Sequence, residues 1–194
     1  MKNIAVFASG SGSDMQSVID GTLSGLIDGK VVAVITNKEG IVAIERAKKH
    51  GIDYKTFKAK DYGDNETRDK AIIEYLKGYD IDLIVLAGYL AIVTPALVDE
   101  YEGRIINIHP SLIPKHCGKG MYGLNVHKSV LQSGDKVSGC TVHFVDYGAD
   151  TGAIIAQEQV EVKDGDTPES LQARILEVEH VLLPSVVAKL CREI

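Results

Sequence analysis

The sequence predicts an α/β fold: a doubly wound, mostly parallel sheet with a mixed antiparallel edge and a long C-terminal helix. Apolar runs of strand length alternate with segments of helical periodicity through the first half of the chain. These runs are apolar on both faces, which is typical of parallel strands covered by helices. The last strand-like run alternates polar and apolar residues, which favours an antiparallel edge.

The first apolar run, Ile4 to Phe7, is predicted to be a buried strand, and a Gly/Ser segment follows it. Apolar residues then recur at three- and four-residue steps as far as Leu26, which predicts a helix. Ser13 and Gln16 have the spacing of a capping box, which marks the start of that helix. Further strands are predicted at 31–35, 54–57, 83–86, 105–109, 137–146 and 153–162, and further helices at 42–50, 67–76 and 95–101.

The C-terminal helix is predicted to begin at Thr167-Pro168, because proline is favoured at the first helical position. Pro184 lies inside this helix and is expected to kink or interrupt it. The segment from Lys115 to Gly123 carries three glycines and is predicted to be a mobile flap. The apolar stripe of the C-terminal helix consists of Leu171, Ile175, Val178 and Leu182.

Composition excludes several classes of protein. The 194 residues are 45% apolar, which predicts one globular domain over residues 1–194 and argues against disorder. No apolar run is long enough to span a bilayer, so no membrane partner is expected. The net charge of −6 argues against a nucleic-acid partner. Three cysteines without CxxC spacing make a disulfide framework or zinc site improbable and predict a cytoplasmic protein.

A phosphate site is predicted at the Gly/Ser segment that ends with Gly12 and Ser13. Glycines let the backbone approach a ligand, and the following helix offers free N–H groups to an anion. A plain glycine-rich turn with a capped helix is the alternative. Dinucleotide binding is disfavoured, because Met15 stands where its third glycine would fall and no acidic residue follows the second strand before Glu39.

Asn107 and His109 are candidate catalytic residues. Residues two apart in a strand share a face, and Pro110 ends this strand, so both side chains lie near its carboxyl end. An amide can stabilise an oxyanion while an imidazole moves a proton, which is a workable set for acyl transfer. Two buried polar residues that are satisfied by the backbone are the alternative.

The loop from Val145 to Gly152 carries the carboxylates Asp146 and Asp150. A carboxylate beside His109 is expected to favour the imidazolium form and raise the pKa of that histidine. The alternative to a functional loop is an ordinary hairpin turn. Spacing alone favours the turn, since Asp and Gly are usual turn residues. His143 is interpreted as a structural histidine, and no residue cluster suggests a metal site.

Together these features resemble the glycinamide ribonucleotide formyltransferase family of purine biosynthesis. The resemblance covers nearly the whole chain and rests on ASGSGSDMQSVID, LAGYLAIVTPALV, NIHPSLIP, GCTVHFVDYGADTGAIIAQ and the Glu179-His180 pair. It implies a catalytic set of Asn107, His109 and Asp150. It implies a substrate site of Gly12, Ser13 and Asp14 for the phosphate and Glu179 for the ribose. It implies a folate site formed by Leu90, Ala91, Ile92, Val93 and Asn107, with Leu86, Val145 and the 147–152 loop.

The implied reaction is formyl transfer from 10-formyltetrahydrofolate, the co-substrate, to the amine of glycinamide ribonucleotide, without a metal. Small-molecule substrates are the implied partners, and the sequence leaves monomer and homodimer open. A formyltetrahydrofolate deformylase, which normally carries a further domain, and a non-catalytic phosphate- or nucleotide-binding module are the alternatives.

Two departures from the family pattern bear on binding. Asp14 stands where the family usually has Asn, and a carboxylate near a phosphate is repulsive. Ala91 stands where many members have a basic residue near the folate tail, for which Arg68, Lys58 or Lys60 are possible replacements. Weaker phosphate binding is therefore expected, and the departure at Ala91 bears on folate affinity or polyglutamate preference.

Overall fold

The computed structural model describes the whole chain, Met1–Ile194, as a seven-stranded sheet covered by six α-helices. The strands are β1 (Lys2–Ala8), β2 (Gly29–Thr36), β3 (Asp53–Thr56), β4 (Leu83–Leu86), β5 (Ile105–His109), β6 (Val137–Phe144) and β7 (Ile154–Glu161). The helices are α1 (Ser13–Leu23), α2 (Val42–Lys49), α3 (Asn65–Leu76), α4 (Pro95–Glu100), α5 (Leu124–Ser133) and α6 (Pro168–Glu193). No helix combines the length and apolar character that crossing a bilayer requires.

The strand order is β3-β2-β1-β4-β5-β6-β7. Pairing is parallel from β3 to β5, while β6 pairs antiparallel with β5 and with β7. The predicted parallel sheet with an antiparallel edge is therefore confirmed. Because the chain order reverses at β1, the carboxyl ends of β1 and β4 face a crevice where open α/β sheets place their ligands.

Each face of the sheet is covered by its own helices, as the apolar character of the strands predicts. Along β1, Val6 joins a core with residues of α1, α2, α5 and α6. The next residue, Phe7, faces the opposite side and joins a core with residues of α3 and α4. Alternate residues of β1 thus pack against both helical layers, which fixes the position of the strand end where the Gly/Ser loop begins.

The C-terminal helix α6 begins as predicted and continues further than predicted. Thr167 caps it, its side chain accepting a bond from the Ser170 N–H at 3.1 Å, and Pro168 occupies the first turn. The expected interruption at Pro184 is wrong, because the helix runs unbroken to Glu193. Pro184 is buried and packs toward Gly21 of α1, and α6 continues past it.

Two other local expectations are corrected. The start of α1 at Ser13 is right, but its cap is Gly12 with no side-chain hydrogen bond, so the predicted capping box is wrong. The Gln16 side chain instead donates to Asp20 at 2.8 Å and lies 3.0 Å from His50 Nε2. The helix α5 was not predicted, because it is short and follows a glycine-rich segment that carries no helix-start signal.

Candidate functional site

Asn107 and His109 extend from the same face of β5, as the two-residue spacing predicts. Their neighbours Ile106 and Ile108 are buried in the core on the opposite face. Asp150 reaches the pair from the loop between β6 and β7: its Oδ1 accepts from Asn107 Nδ2 at 3.5 Å, and its Oδ2 lies 3.6 Å from His109 Nδ1. The structure therefore brings the three residues together.

His143 belongs to the same cluster, although the sequence interpretation treated it as structural. Antiparallel register places it opposite Asn107, and its Nε2 lies 3.1 Å from Asn107 Nδ2 and 3.6 Å from Asp150 Oδ1. Its Nδ1 donates to the Phe144 carbonyl at 2.7 Å, so Nε2 is the acceptor in the neutral ring. The pairing of β5 with β6 places His143 beside Asn107, and local sequence patterns do not determine that register.

The loop that carries Asp150 is held in a demanding conformation. Asp150 has φ of 58°, in the left-handed region that Asp tolerates better than most residues. A Cβ at Gly152 would lie 1.8 Å from the Phe144 carbonyl oxygen, so this close approach requires glycine. The Asp150 carboxyl is partly buried, which opposes its charge, but the neighbouring His143 ring and the hydrogen bond from the Gly118 N–H hold its pKa below the usual value.

The expectation of a raised pKa for His109 is wrong for the free protein. His109 is 4% exposed, and burial of the imidazole lowers its pKa by more than the neighbouring Asp150 and the His116 carbonyl raise it. Its Nε2 lies 3.0 Å from that carbonyl oxygen and therefore carries the hydrogen. The neutral ring presents an unprotonated Nδ1 toward Asp150.

The Gly/Ser loop forms the turn that was predicted for an anion site. Gly12 has φ of 68°, and a Cβ there would lie 2.8 Å from the Cβ of Ala43, so only glycine fits. The Gly10 carbonyl accepts from the Ala43 N–H at 3.1 Å, which fastens the loop to α2. The first N–H groups of α1 have no acceptor within the helix, which leaves them available to an anion.

Asp14 and Glu179 are carboxylates with little solvation beside this loop. Burial raises the pKa of Asp14 to about 6, and burial together with the charge of Asp14 raises the pKa of Glu179 well above its usual value. Glu179 is 6% exposed. The two carboxyls oppose each other's ionisation, which limits the negative charge near the predicted phosphate.

Arg46 supplies a positive charge at the loop that the sequence interpretation missed. Its Nε donates to the Ser11 carbonyl at 2.9 Å, and one terminal nitrogen donates to Gln16 Oε1 at 3.3 Å. It lines a cleft of about 550 Å³ together with Ser13 and His180. No local motif marks Arg46, since the packing of α2 against α1 brings it there.

The predicted folate segment follows β4 and is fastened on both sides. At its start, the Leu90 N–H donates to Ser9 Oγ at 2.9 Å. At its end, the buried Asp69 carboxylate accepts from the Thr94 N–H at 2.7 Å. Leu90 and Ile92 are 49% and 73% exposed, so this segment presents apolar surface.

Arg68 is not available to a folate tail. It is 1% exposed, forms an ion pair with Asp69 at 2.7 Å and donates to the Ile92 carbonyl at 2.6 Å. Its guanidinium therefore holds the 90–94 segment in place. Lys58 pairs with Glu39 at 2.8 Å on the surface, and Lys60 shows no ion pair.

Comparison with known proteins agrees with this architecture. Residues 2–187 match the sequence model of the formyl transferase family. The phosphoribosylglycinamide formyltransferase of Haemophilus influenzae is 41% identical over 187 residues, covering 96% of this chain and 86% of that protein. The chloroplastic phosphoribosylglycinamide formyltransferase of Arabidopsis thaliana is 42% identical over 193 residues, or 99% of this chain. The crystal structure of glycinamide ribonucleotide transformylase 1 from Symbiobacterium toebii matches with a TM-score of 0.94 at 39% identity, covering 100% of this chain and 89% of that one.

Relatives differ in how much sequence they carry beyond the match. This chain spans 66% of the Arabidopsis protein and 13–14% of trifunctional purine biosynthetic proteins from insects. The matched region contains every motif on which the resemblance rests, from the Gly/Ser loop to Glu179. The chain therefore belongs to the formyl transferase family.

Proposed function

We propose that this chain transfers the formyl group of 10-formyltetrahydrofolate to the amine of phosphoribosylglycinamide, a step of purine biosynthesis. The convergence of Asn107, His109 and Asp150 at the carboxyl end of β5 carries the proposal. An oxyanion donor, a proton carrier and a carboxylate within hydrogen-bond or ion-pair range are the groups that acyl transfer to an amine needs.

Asn107 stabilises the oxyanion. When the neutral amine attacks the formyl carbon, the carbonyl π bond breaks and its electrons move to oxygen. Asn107 Nδ2 has one hydrogen toward His143 and one directed at Asp150 3.5 Å away, a long contact that is easily exchanged for an oxyanion. Because His143 holds the amide through its other hydrogen, the amide stays oriented as the charge develops.

His109 moves the proton. The attacking nitrogen becomes an ammonium, and the unprotonated Nδ1 of His109 accepts its proton, directly or through a water. Asp150, whose pKa is held low against the effect of burial, stabilises the resulting imidazolium from 3.6 Å. The oxyanion then re-forms the carbonyl bond, the bond from the formyl carbon to the folate nitrogen breaks, and His109 gives its proton to that nitrogen. The products are the formylated amine and tetrahydrofolate with a neutral N–H at the leaving nitrogen.

The substrates take the two ends of the crevice. We place the phosphate at Gly12, Ser13 and Asp14, where α1 begins and Arg46 adds positive charge. Glu179 accepts hydrogen bonds from the ribose hydroxyls. The folate lies against Leu90, Ala91, Ile92 and Val93, with Asn107 at its reactive end; Ser9 joins this segment to the end of β1.

A single-domain, cytoplasmic protein with small-molecule partners remains part of this proposal. Cys117, Cys140 and Cys191 are free thiols, which suits a reducing compartment.

One assay tests the proposed reaction. The protein is incubated with 10-formyltetrahydrofolate, with and without phosphoribosylglycinamide, and the products are weighed by mass spectrometry. Formylation that depends on the acceptor, and is lost in Asn107→Ala, is the expected result. Formate released without acceptor would assign the chain to the deformylases, and no turnover in either mixture would assign it to binding modules.

A further inference from the structure

One short segment after β5 contacts both His109 and Asp150. The His116 carbonyl oxygen accepts from His109 Nε2 at 3.0 Å, and the Gly118 N–H donates to Asp150 Oδ2 at 2.9 Å. The first contact places the ring hydrogen on Nε2 and leaves Nδ1 free on the side of Asp150. The position of this segment therefore selects the tautomer of the proton carrier.

The side chain of His116 fastens the segment to two other parts of the fold. Its Nδ1 lies 2.7 Å from Ser129 Oγ on α5, and its Nε2 lies 2.9 Å from Asp135 Oδ2 in the turn before β6. A carboxylate only accepts, so Nε2 carries the hydrogen and the Ser129 hydroxyl donates to Nδ1 of the neutral ring. Hydrogen bonds from His116 and from Lys115 hold the pKa of Asp135 below its usual value, in keeping with an ionised acceptor.

The backbone at His116 needs such an anchor. Its φ of 52° lies in the left-handed region, which is sparsely populated by residues other than glycine. The preceding carbonyl, that of Lys115, accepts from the buried Ser111 hydroxyl at 2.7 Å. The peptide unit after His116 carries the carbonyl that faces His109, and the ring contacts to Ser129 and Asp135 restrain its rotation.

We propose that His116 is a positioning residue for His109: its ring, held between Ser129 and Asp135, fixes the carbonyl that keeps His109 in the Nε2-protonated tautomer. Neither Ser129 nor Asp135 touches the substrate site described above. The consequence for turnover rests on the proposed function, whereas the consequence for the tautomer does not.

Three variants of the full chain test this inference. Ser129→Ala removes one contact of the ring without altering the segment itself. His116→Asn shortens the anchor but keeps a residue that accepts the left-handed backbone. Lys128→Ala is the matched control, because this exposed residue adjoins Ser129 on α5 and its side chain makes no hydrogen bond. Far-UV circular dichroism and thermal melting establish that each variant is folded.

The direct readout is ¹⁵N NMR of the His109 ring, which distinguishes protonation at Nε2 from protonation at Nδ1. We expect one tautomer in the wild type and in Lys128→Ala, and a mixture in Ser129→Ala and His116→Asn. In formyl transfer, kcat should fall about 10- to 10²-fold in the two anchor variants, with KM for the phosphate-bearing substrate unchanged.

The outcomes separate the two claims. If the Ser129→Ala and His116→Asn variants are folded and keep the wild-type tautomer and kcat, the positioning role is overturned. If the two variants show mixed tautomers but the wild-type protein shows no formyl transfer, the positioning role stands and the proposed function is removed. A rise in KM with kcat unchanged would also count against the inference, since it would place the segment in substrate binding.

Discussion

Oδ1 of Asp14 lies 3.6 Å from Nε2 of His180, and both atoms are buried without a hydrogen-bond partner. Burial raises the pKa of Asp14 to about 6, while burial and the neighbouring Arg46 lower the pKa of His180. In the free protein both shifts therefore disfavour the charged forms, and Asp14 keeps its proton only below about pH 6. This pair stands at the proposed phosphate site, where its charge bears directly on binding.

Replacing Asp14 by Asn should strengthen phosphate binding at high pH. Above pH 6 the carboxyl loses its proton and repels a phosphate dianion, so we expect Asp14→Asn to bind ribose 5-phosphate about tenfold more tightly at pH 8, or ~1.4 kcal/mol. At pH 5 the carboxyl is largely protonated and the two proteins should bind alike. Calorimetric titration at both pH values measures this, and weaker binding by Asp14→Asn at pH 8 would contradict it.

The same substitution should change how stability depends on pH. Between the unfolded value of 3.8 and the folded value of about 6, the native carboxyl keeps a proton that the unfolded chain has released. Stability therefore falls as pH rises through this window, by up to about 3 kcal/mol. Thermal melts of the wild type should show this decline between pH 4 and 6, and Asp14→Asn should show less of it. Equal slopes in both proteins would exclude Asp14 as the source.

His109→Ala should abolish most transfer and spare phosphate binding. The ring is the proposed proton carrier, and it belongs to β5 rather than to the Gly/Ser loop. We expect kcat to fall by about 10²- to 10⁴-fold, the usual contribution of a positioned acid–base group. Kinetics and ribose 5-phosphate titrations measure the two effects, and an equal loss of binding and turnover would argue against this role.

Asp150→Asn should lower the pKa of His109 further. The carboxylate raises this pKa from 3.6 Å and opposes the larger effect of burial, so removing its charge leaves burial less opposed. The acidic limb of the kcat/KM profile should then move to lower pH, with a lower plateau. NMR titration of His109 gives the shift directly, and Asp164→Asn, at a fully exposed remote carboxylate, serves as the charge control. An unchanged His109 titration would refute the coupling.

Arg68→Met should destabilise the protein strongly. It leaves the Asp69 carboxylate buried without its cation, and breaking a buried ion pair in this way costs about 3–5 kcal/mol. The matched control is Lys70→Met on the same helix, which breaks only a surface pair with Glu66 and should cost no more than about 1 kcal/mol. Urea unfolding measures both, and similar midpoints would disprove the structural role of Arg68.

The residue order was enough to predict most strands and helices, because each apolar run must be buried on the faces its period dictates. It was also enough to predict that Asn107 and His109 share a face, since the pleat of a strand alternates side chains. The left-handed loops at Gly12 and Asp150 were signalled by Gly and Asp, which tolerate such backbone conformations better than most residues.

What the sequence could not determine are the relationships between segments far apart in the chain. The β5–β6 register places His143 beside Asn107, and the packing of α2 on α1 places Arg46 at the Gly/Ser loop. Burial also reversed the expected pKa shift of His109, because desolvation depends on the whole surrounding fold. Local patterns fix which residues can react, whereas tertiary packing decides which of them meet and in which charge state.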